Sequence, residues 1–215
     1  MSEKELVHKE QIRVLVADDH PVVREGLACI IEDSKDMLVA GVAANGHEAV
    51  ELFSQYKPDI TLMDLRMPQM EGVEAITLIR QQSANARIIV LTTYDSDEDI
   101  YRALRAGAMA YLLKDTSRQE LLNTIRAVHA GQKRISPEMA LKLVERLNSP
   151  ELSAREVEVL RLIVAGKSNS EIGTTLYITE GTVKTHVKTI LKKLEASDRT
   201  SAATTALKRG LVRLD

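Results

Sequence analysis

The chain has 215 residues, is 44% hydrophobic and 28% charged, and carries a formal net charge of −2. That length suits two modest domains with real cores, and the balance of residues is that of a globular protein, not of a disordered or fibrous one. No apolar run reaches the roughly 18 residues of a membrane span, and a single cysteine, Cys29, excludes an internal disulfide framework and a thiolate metal cluster.

The start, Met1 to Gln11, is polar and charged and does not read as a signal peptide; with the lone thiol it points to a reducing cytoplasm. Charge is uneven along the chain. Residues 1–150 hold 18 Lys and Arg against 23 Asp and Glu, and residues 151–215 hold 11 against 8. A mildly acidic first part and a basic last part suggest two domains with different partners.

In the first part, short apolar runs alternate with helical patterns. Ile12–Ala17 reads as a strand ending at Asp18-Asp19, and His20–Asp33 as a helix with Val23, Leu27, Ile30 and Ile31 on one side. Met37–Ala43 is a second strand, and Gly46–Tyr56 a helix with Ala49, Val50 and Phe53 on one side. Asp59–Met63 is a third strand, ending at Asp64 before the turn at Pro68. Gly72–Gln82 is helical. Arg87–Leu91 is a fourth strand, ending at Thr92-Thr93, and Ser96 can cap the helix that runs to Ala106. Ala110–Leu113 is a fifth strand, ending at Lys114, and Thr116 or Ser117 caps a helix reaching about Ala130. Cys29 reads as a buried thiol on the first helix.

Five strands that are apolar throughout, each followed by a helix, make an α/β fold: a parallel sheet covered on both faces. Right-handed crossovers put every strand's C-terminal end on one edge. That edge gathers Asp18, Asp19, Asp64, Thr92 and Lys114. Each has an ordinary reading alone: the acids as turn formers or helix caps, Thr92 as a strand end, Lys114 as a solvated lysine. Their joint occurrence at successive strand ends is hard to ascribe to chance. Clustered carboxylates repel and call for a cation, and hard oxygen ligands favour Mg²⁺. Beside a cation, Asp64 can act as a nucleophile that accepts a phosphoryl group, with the Lys114 ammonium and the Thr92 hydroxyl to meet its oxygens.

Residues 12–130 resemble the receiver domain of bacterial response regulators. The resemblance rests on Asp18-Asp19, on Asp64 with Met67-Pro68 and Gly72, on Thr92, and on Tyr111-Leu-Leu-Lys114. It implies a flavodoxin-like (βα)5 doubly wound sheet of strand order 2-1-3-4-5, and Asp64 as phosphoacceptor. It implies Mg²⁺ held by Asp19, Asp64 and the backbone carbonyl of Arg66, with Asp18 assisting. It implies phosphoryl contacts from Thr92 and Lys114, and a switch in which Thr92 and Tyr111 move inward together. Asp115 stands where many receivers have Pro, so no cis bond is expected there. Haloacid-dehalogenase-type phosphatases also phosphorylate a strand-end Asp, but they need a second acid two residues later. That position is Arg66, and no cap domain's worth of sequence is present, so the chain is not read as an enzyme beyond slow autodephosphorylation.

Residues 131–150 read as a linker with a short helix: Ser136-Pro137-Glu138 is a helix start, and Asn148-Ser149-Pro150 a break. Residues 151–215 then carry four short helices. Ser153 with Glu156 is a capping box. Ser168 (or Asn169), Thr179 and Asp198 (or Ser197) cap the next three, and Gly166 and Gly210 close the first and the last. The second and third have helix-turn-helix proportions. On the third, Lys184, Lys188 and Lys192 form a stripe, and His186 and Lys193 add basic capacity. No acid lies between Glu180 and Glu195, and the stripe is read as lacking the i,i+4 acids of a merely solvated helix.

Residues 152–211 resemble the LuxR-type DNA-binding domain, through Leu152–Glu156, Asn169–Ile172, Ile178–Val187 and Leu191–Leu194. The resemblance implies that Lys184, Thr185 and Lys188 face the major groove, with Thr182 and Lys192 nearer phosphates. Gly173 replaces the usual Ala. The order of the two domains is that of NarL/FixJ-type regulators. It implies a transcription factor of a two-component system, phosphorylated on Asp64 by a sensor histidine kinase, pairing as a homodimer and binding double-stranded promoter DNA, with no membrane partner. Two other readings are weaker. An acyl-homoserine-lactone sensor would have a Trp- and Tyr-rich ligand domain first, and this chain has no Trp. A receiver acting mainly through protein contacts would not need the lysine stripe.

Overall fold

The structure, a computed structural model, describes residues 11–93 and 96–212. The polar start before Gln11 and the last three residues of the expected second domain lie outside them. Packing divides the described residues into two units: 11–93 with 102–136, and 96–101 with 137–212.

The first unit is built on five parallel strands, β1 (Ile12–Ala17), β2 (Met37–Ala43), β3 (Ile60–Met63), β4 (Ile88–Thr92) and β5 (Ala110–Leu113), in the order β2-β1-β3-β4-β5. The helices between the strands are α1 (Pro21–Glu32), α2 (Gly46–Tyr56), α3 (Gly72–Gln82), α4 (Asp97–Ala106) and α5 (Arg118–His129), of which α4 is divided between the two units at Tyr101. Strand side chains alternate between faces. Val14, Val16, Ile60, Leu62, Ile89 and Leu91 pack with Leu27 and Ile31 of α1 and Leu121, Leu122, Ile125 and Val128 of α5. α2 and α3 pack on each other, and α2 also on β1 and β2. β3 and β4 are buried along their whole length. β2 is half-exposed over most of its length, because it is the edge strand, so the expectation that both faces of every strand are covered fails there.

Local chemistry explains the ends. Pro21 starts α1, where its missing N–H costs nothing. Asn45 caps α2 by accepting from Glu48 N, and Ser117 caps α5 by accepting from Glu120 N. Ser96 accepts from Asp99 N, as expected of a cap. Cys29 is exposed, not buried: α1 turns Leu27 and Ile31 inward, and position 29 lies on the other side. There is no cis peptide bond among the described residues.

The second unit contains α6 (Pro137–Asn148), α7 (Ala154–Val164), α8 (Asn169–Leu176), α9 (Glu180–Lys193) and α10 (Arg199–Lys208). Ser153 and Ser168 both form capping boxes, with Glu156 and Glu171, and Thr179 and Asp198 cap α9 and α10. The core joins Val159, Leu160 and Ile163 of α7 to Ile172, Val183, Ile190, Leu194, Ala202 and Ala206. At Gly173 a Cβ would stand 2.8 Å from the Ile178 carbonyl oxygen, so glycine lets the turn after α8 fold back closely.

Candidate functional site

Strand register assembles the site. Ala17 of β1 lies beside Met63 of β3, and Thr92 of β4 beside Leu113 of β5. The next residue on each strand continues the pairing: Asp64 N donates to the Ala17 carbonyl (2.9 Å), and Lys114 N to that of Thr92 (2.9 Å). Asp18, Asp64, Thr92 and Lys114 therefore reach one edge of the sheet at the same level.

There the side chains meet. Lys114 Nζ lies 2.5 Å from Asp64 Oδ2 and 2.8 Å from Asp18 Oδ2. Both acids are buried, Asp64 with 3% exposure. Burial pulls the Lys114 ammonium down, but the hydrogen bonds and charges of Asp18 and Asp64 outweigh it, so its pKa is raised. The lysine is thus held charged, as the counter-ion of two carboxylates that would otherwise repel.

Asp19 is half-buried. Its Oδ1 atom is shielded from solvent and accepts no hydrogen bond. A buried carboxylate oxygen without a donor is costly unless a cation serves it. Ligand atoms of Asp18, Asp19, His20 and Asp64 all lie within 4.8 Å of one another. Two trans bonds to a hard dication span about 4.2 Å, so these residues fit such an ion with small adjustments.

The neighbouring loops are shaped by close approach. A Cβ at Gly72 would stand 2.0 Å from the Asp64 carbonyl oxygen, and one at Gly46 2.6 Å from that of Met70. Both helix starts press on the loop that leaves Asp64. Within it Gln69 adopts φ +66°, and Arg66 N points back to Asp64 Oδ1 at 3.3 Å. Thr92 is fully buried at the end of β4. Tyr111 on β5 is 1% exposed, so its ring already lies inside.

Sequence reasoning missed two residues here. Arg24 Nη1 donates to the Asp18 carbonyl at 2.5 Å, which steadies the loop between β1 and α1. His20 Nδ1 lies 2.8 Å from Asp19 Oδ1. The signal for His20 was its place next to the acidic pair.

In the second unit, Thr182, Lys184, Thr185, Lys188 and Lys192 are all exposed on α9, while Val183 and Ile190 are buried. Two expectations need correction. Lys184 does have a helical acid: Glu180 Oε1 lies 2.8 Å away, one turn earlier. Lys193 is not spare basic capacity, because its Nζ donates to Glu156 Oε2 (2.8 Å) and to the Glu151 carbonyl (2.9 Å), tying α9 to the start of α7. Burial pushes the Glu156 carboxyl up, but the bonds from Lys193 and Ser153 N win and hold it low. Thr182 shares its hydroxyl with that of Thr179 (2.9 Å), and Thr185 donates to the Gly181 carbonyl (3.1 Å). Among the described residues Lys188 and Lys192 make no ion pair, so they are the stripe's unneutralised charges.

Residues 14–126 match the family described as response regulator receiver domain, and residues 150–206 that described as bacterial regulatory proteins, luxR family. The chain is 43% identical over 209 residues to the transcriptional regulatory protein LiaR of Bacillus subtilis, covering 94% of this chain and 99% of that protein. It is 40% identical over 206 residues to the response regulator protein VraR of Staphylococcus aureus, with 94% and 99% covered. A solved complex of the two-component response regulator RcsB with DNA superposes with a TM-score of 0.67 at 25% identity, covering 91% of this chain and 98% of that one. No helix among the described residues is long and apolar enough to cross a membrane.

Proposed function

Since the chain belongs to the response-regulator family and joins a receiver domain to a luxR-type DNA-binding domain, we propose that Asp64 is its phosphoacceptor and that phosphorylation there controls promoter binding through α9. The observation that carries this reading is the strand-end cluster in which Lys114 bridges Asp64 and Asp18 within 2.8 Å. The reading places the receiver in residues 12–130, the linker in 131–150 and the DNA-binding domain in 151–215, all working in the cytoplasm.

In this reading an Asp64 oxygen attacks the phosphorus of a phosphohistidine on a sensor histidine kinase. The P–N bond breaks, the imidazole leaves, and an acyl phosphate remains on Asp64. Lys114 is already charged and buried beside Asp64, so it can pass from the carboxylate to a phosphoryl oxygen with little movement. The Thr92 hydroxyl, at the end of the next strand, donates to another. Asp19, Asp64 and the Arg66 carbonyl, with Asp18 assisting, would hold Mg²⁺, which would neutralise charge on the incoming group. Because the Tyr111 ring is already buried, its part in the switch is a change of partner with Thr92 more than an inward swing.

Phosphorylation then favours a homodimer, which brings two α9 helices to half-sites about one DNA turn apart. Lys184, Thr185 and Lys188 face the major groove, and Thr182 and Lys192 the phosphates. The test has two parts. Acetyl phosphate should label wild type with an acid- and hydroxylamine-labile phosphate and leave Asp64→Ala unlabelled; labelling of the variant would sink the site. Phosphorylated protein should select a sequence from random duplexes and protect it from cleavage; uniform, sequence-blind protection would sink the output.

A further inference from the structure

We propose that Thr185 reads a thymine through its γ-methyl group, and that Gly181 leaves the recess in which the methyl of that base sits. The inference rests on the reading of α9 as the helix that enters the major groove, and it names one base that the helix selects.

Gly181, Thr185, Lys188 and Lys192 share the outer side of α9. They follow one another at steps of four, three and four residues, which keeps them on one face, and all are exposed. The two lysines offer ammonium groups, which suit phosphates or the acceptor edges of bases. Thr185 offers something else. A hydroxyl has one proton to give, and that of Thr185 goes to the Gly181 carbonyl at 3.1 Å. The oxygen is therefore turned back onto its own helix and left as an acceptor only. What this exposed side chain presents outward is its methyl group.

Gly181 lies inside α9, where glycine is among the poorest residues. Its backbone does not ask for glycine, because its φ is not positive. Nor does packing: a Cβ there would meet Thr179 Oγ1 at 3.7 Å, an ordinary contact. Gly173 is the contrast, since a Cβ there would stand 2.8 Å from the Ile178 carbonyl oxygen. Among the described residues, then, no contact requires the missing side chain at 181. Its absence clears space one turn before Thr185, on the side that faces outward.

In the major groove thymine alone carries a methyl group, and the threonine methyl is one of its apolar partners. Donation from the Thr185 hydroxyl to a guanine or adenine acceptor would first have to break the bond to the Gly181 carbonyl. A methyl entering the open space beside Gly181 breaks nothing and removes two apolar groups from water.

The test uses the full chain, phosphorylated with acetyl phosphate, and a duplex that it has selected from random sequence. Each thymine is replaced in turn by deoxyuridine, which lacks only the methyl. At one thymine per half-site the replacement should weaken binding about fourfold, the worth of one buried methyl. Thr185→Val keeps the methyl and should keep that difference. Thr185→Ser keeps the hydroxyl and should bind both duplexes alike. Gly181→Ala should melt at a higher temperature than wild type, yet bind the thymine duplex severalfold more weakly. The contact is overturned if no thymine responds to replacement, if Thr185→Ser still discriminates, or if Thr185→Val loses the duplex that Thr185→Ser retains. Wild-type affinity in Gly181→Ala overturns the recess. Failure of wild type to select any duplex would instead overturn the reading of α9 on which the contact stands.

Discussion

Lys114 Nζ meets Asp64 Oδ2 at 2.5 Å although 50 residues separate them in the chain. The lysine also holds Asp18 at 2.8 Å, so one ammonium serves two buried carboxylates. Removing it leaves them facing each other without a counter-ion, and breaking a buried pair in this way costs about 3–5 kcal/mol. Lys114→Ala should lose stability of that order in urea unfolding with chelator present. Millimolar divalent cation should recover much of the loss. A variant as stable as wild type in chelator would refute the bridging role.

Asp36 and Arg126 pin the loop before β2 to α5, with Nε–Oδ2 and Nη2–Oδ1 contacts of 2.8 and 2.9 Å. The Arg126 guanidinium, helped by the Ser34 hydroxyl, holds the Asp36 carboxyl far below its ordinary range. A carboxyl depressed in the folded state adds stability at pH above its unfolded value, near 3.9, and loses it as pH falls toward the folded value. The pair is 40% and 33% exposed, so screening limits its worth to about 1 kcal/mol. Arg126→Met should cost about that much at pH 7, with the difference shrinking below about pH 4. A constant difference from pH 7 to pH 2 would contradict it.

Gly72 leaves no room for a side chain: the clash at 2.0 Å is with the Asp64 backbone itself. Gly72→Ala should destabilise by about 1–3 kcal/mol, as overpacking does. It should also slow labelling by acetyl phosphate, because Asp64 must move with its carbonyl. Full stability together with wild-type labelling rates would show that the loop yields freely.

On α9, Lys188 and Lys192 differ in the role assigned to them. On duplexes selected by wild type, Lys188→Ala should weaken specific binding by about 1–3 kcal/mol and relax the preference at one position. Lys192→Ala should weaken all sequences alike and lower the salt slope by about 1. Identical behaviour of the two variants would remove the distinction between base and phosphate contacts.

The helices and strands were legible because their causes are local. Alternating apolar runs, the Ser153–Glu156 box and the Ser117 cap all lie within a few residues of the elements they set. The Lys184–Glu180 pair was equally local, four residues apart, and the acid one turn earlier was the signal to read. Lys193 was different: its partner Glu156 is 37 residues away, and nothing near Lys193 distinguishes it from a solvated lysine. Cys29 was misplaced because the apolar positions around it permit more than one inward face, and the packing of Leu27 and Ile31 selected one.

By itself the sequence determined which chemical groups stand at the strand ends and that a parallel sheet would collect them on one edge. Residue type and periodicity are properties of short segments, and the rule that crossovers are right-handed does the rest. Only the tertiary structure decided that Lys114 bridges Asp18 and Asp64, that Asp19 Oδ1 is left without a donor beside His20, and that Gly72 is locked under Asp64. The Lys114 contacts of 2.5 and 2.8 Å join segments 50 or more residues apart, and the other two are close approaches within loops that the packed helices shape. They depend on strand register and on how closely helix starts press on loops, which no local pattern encodes.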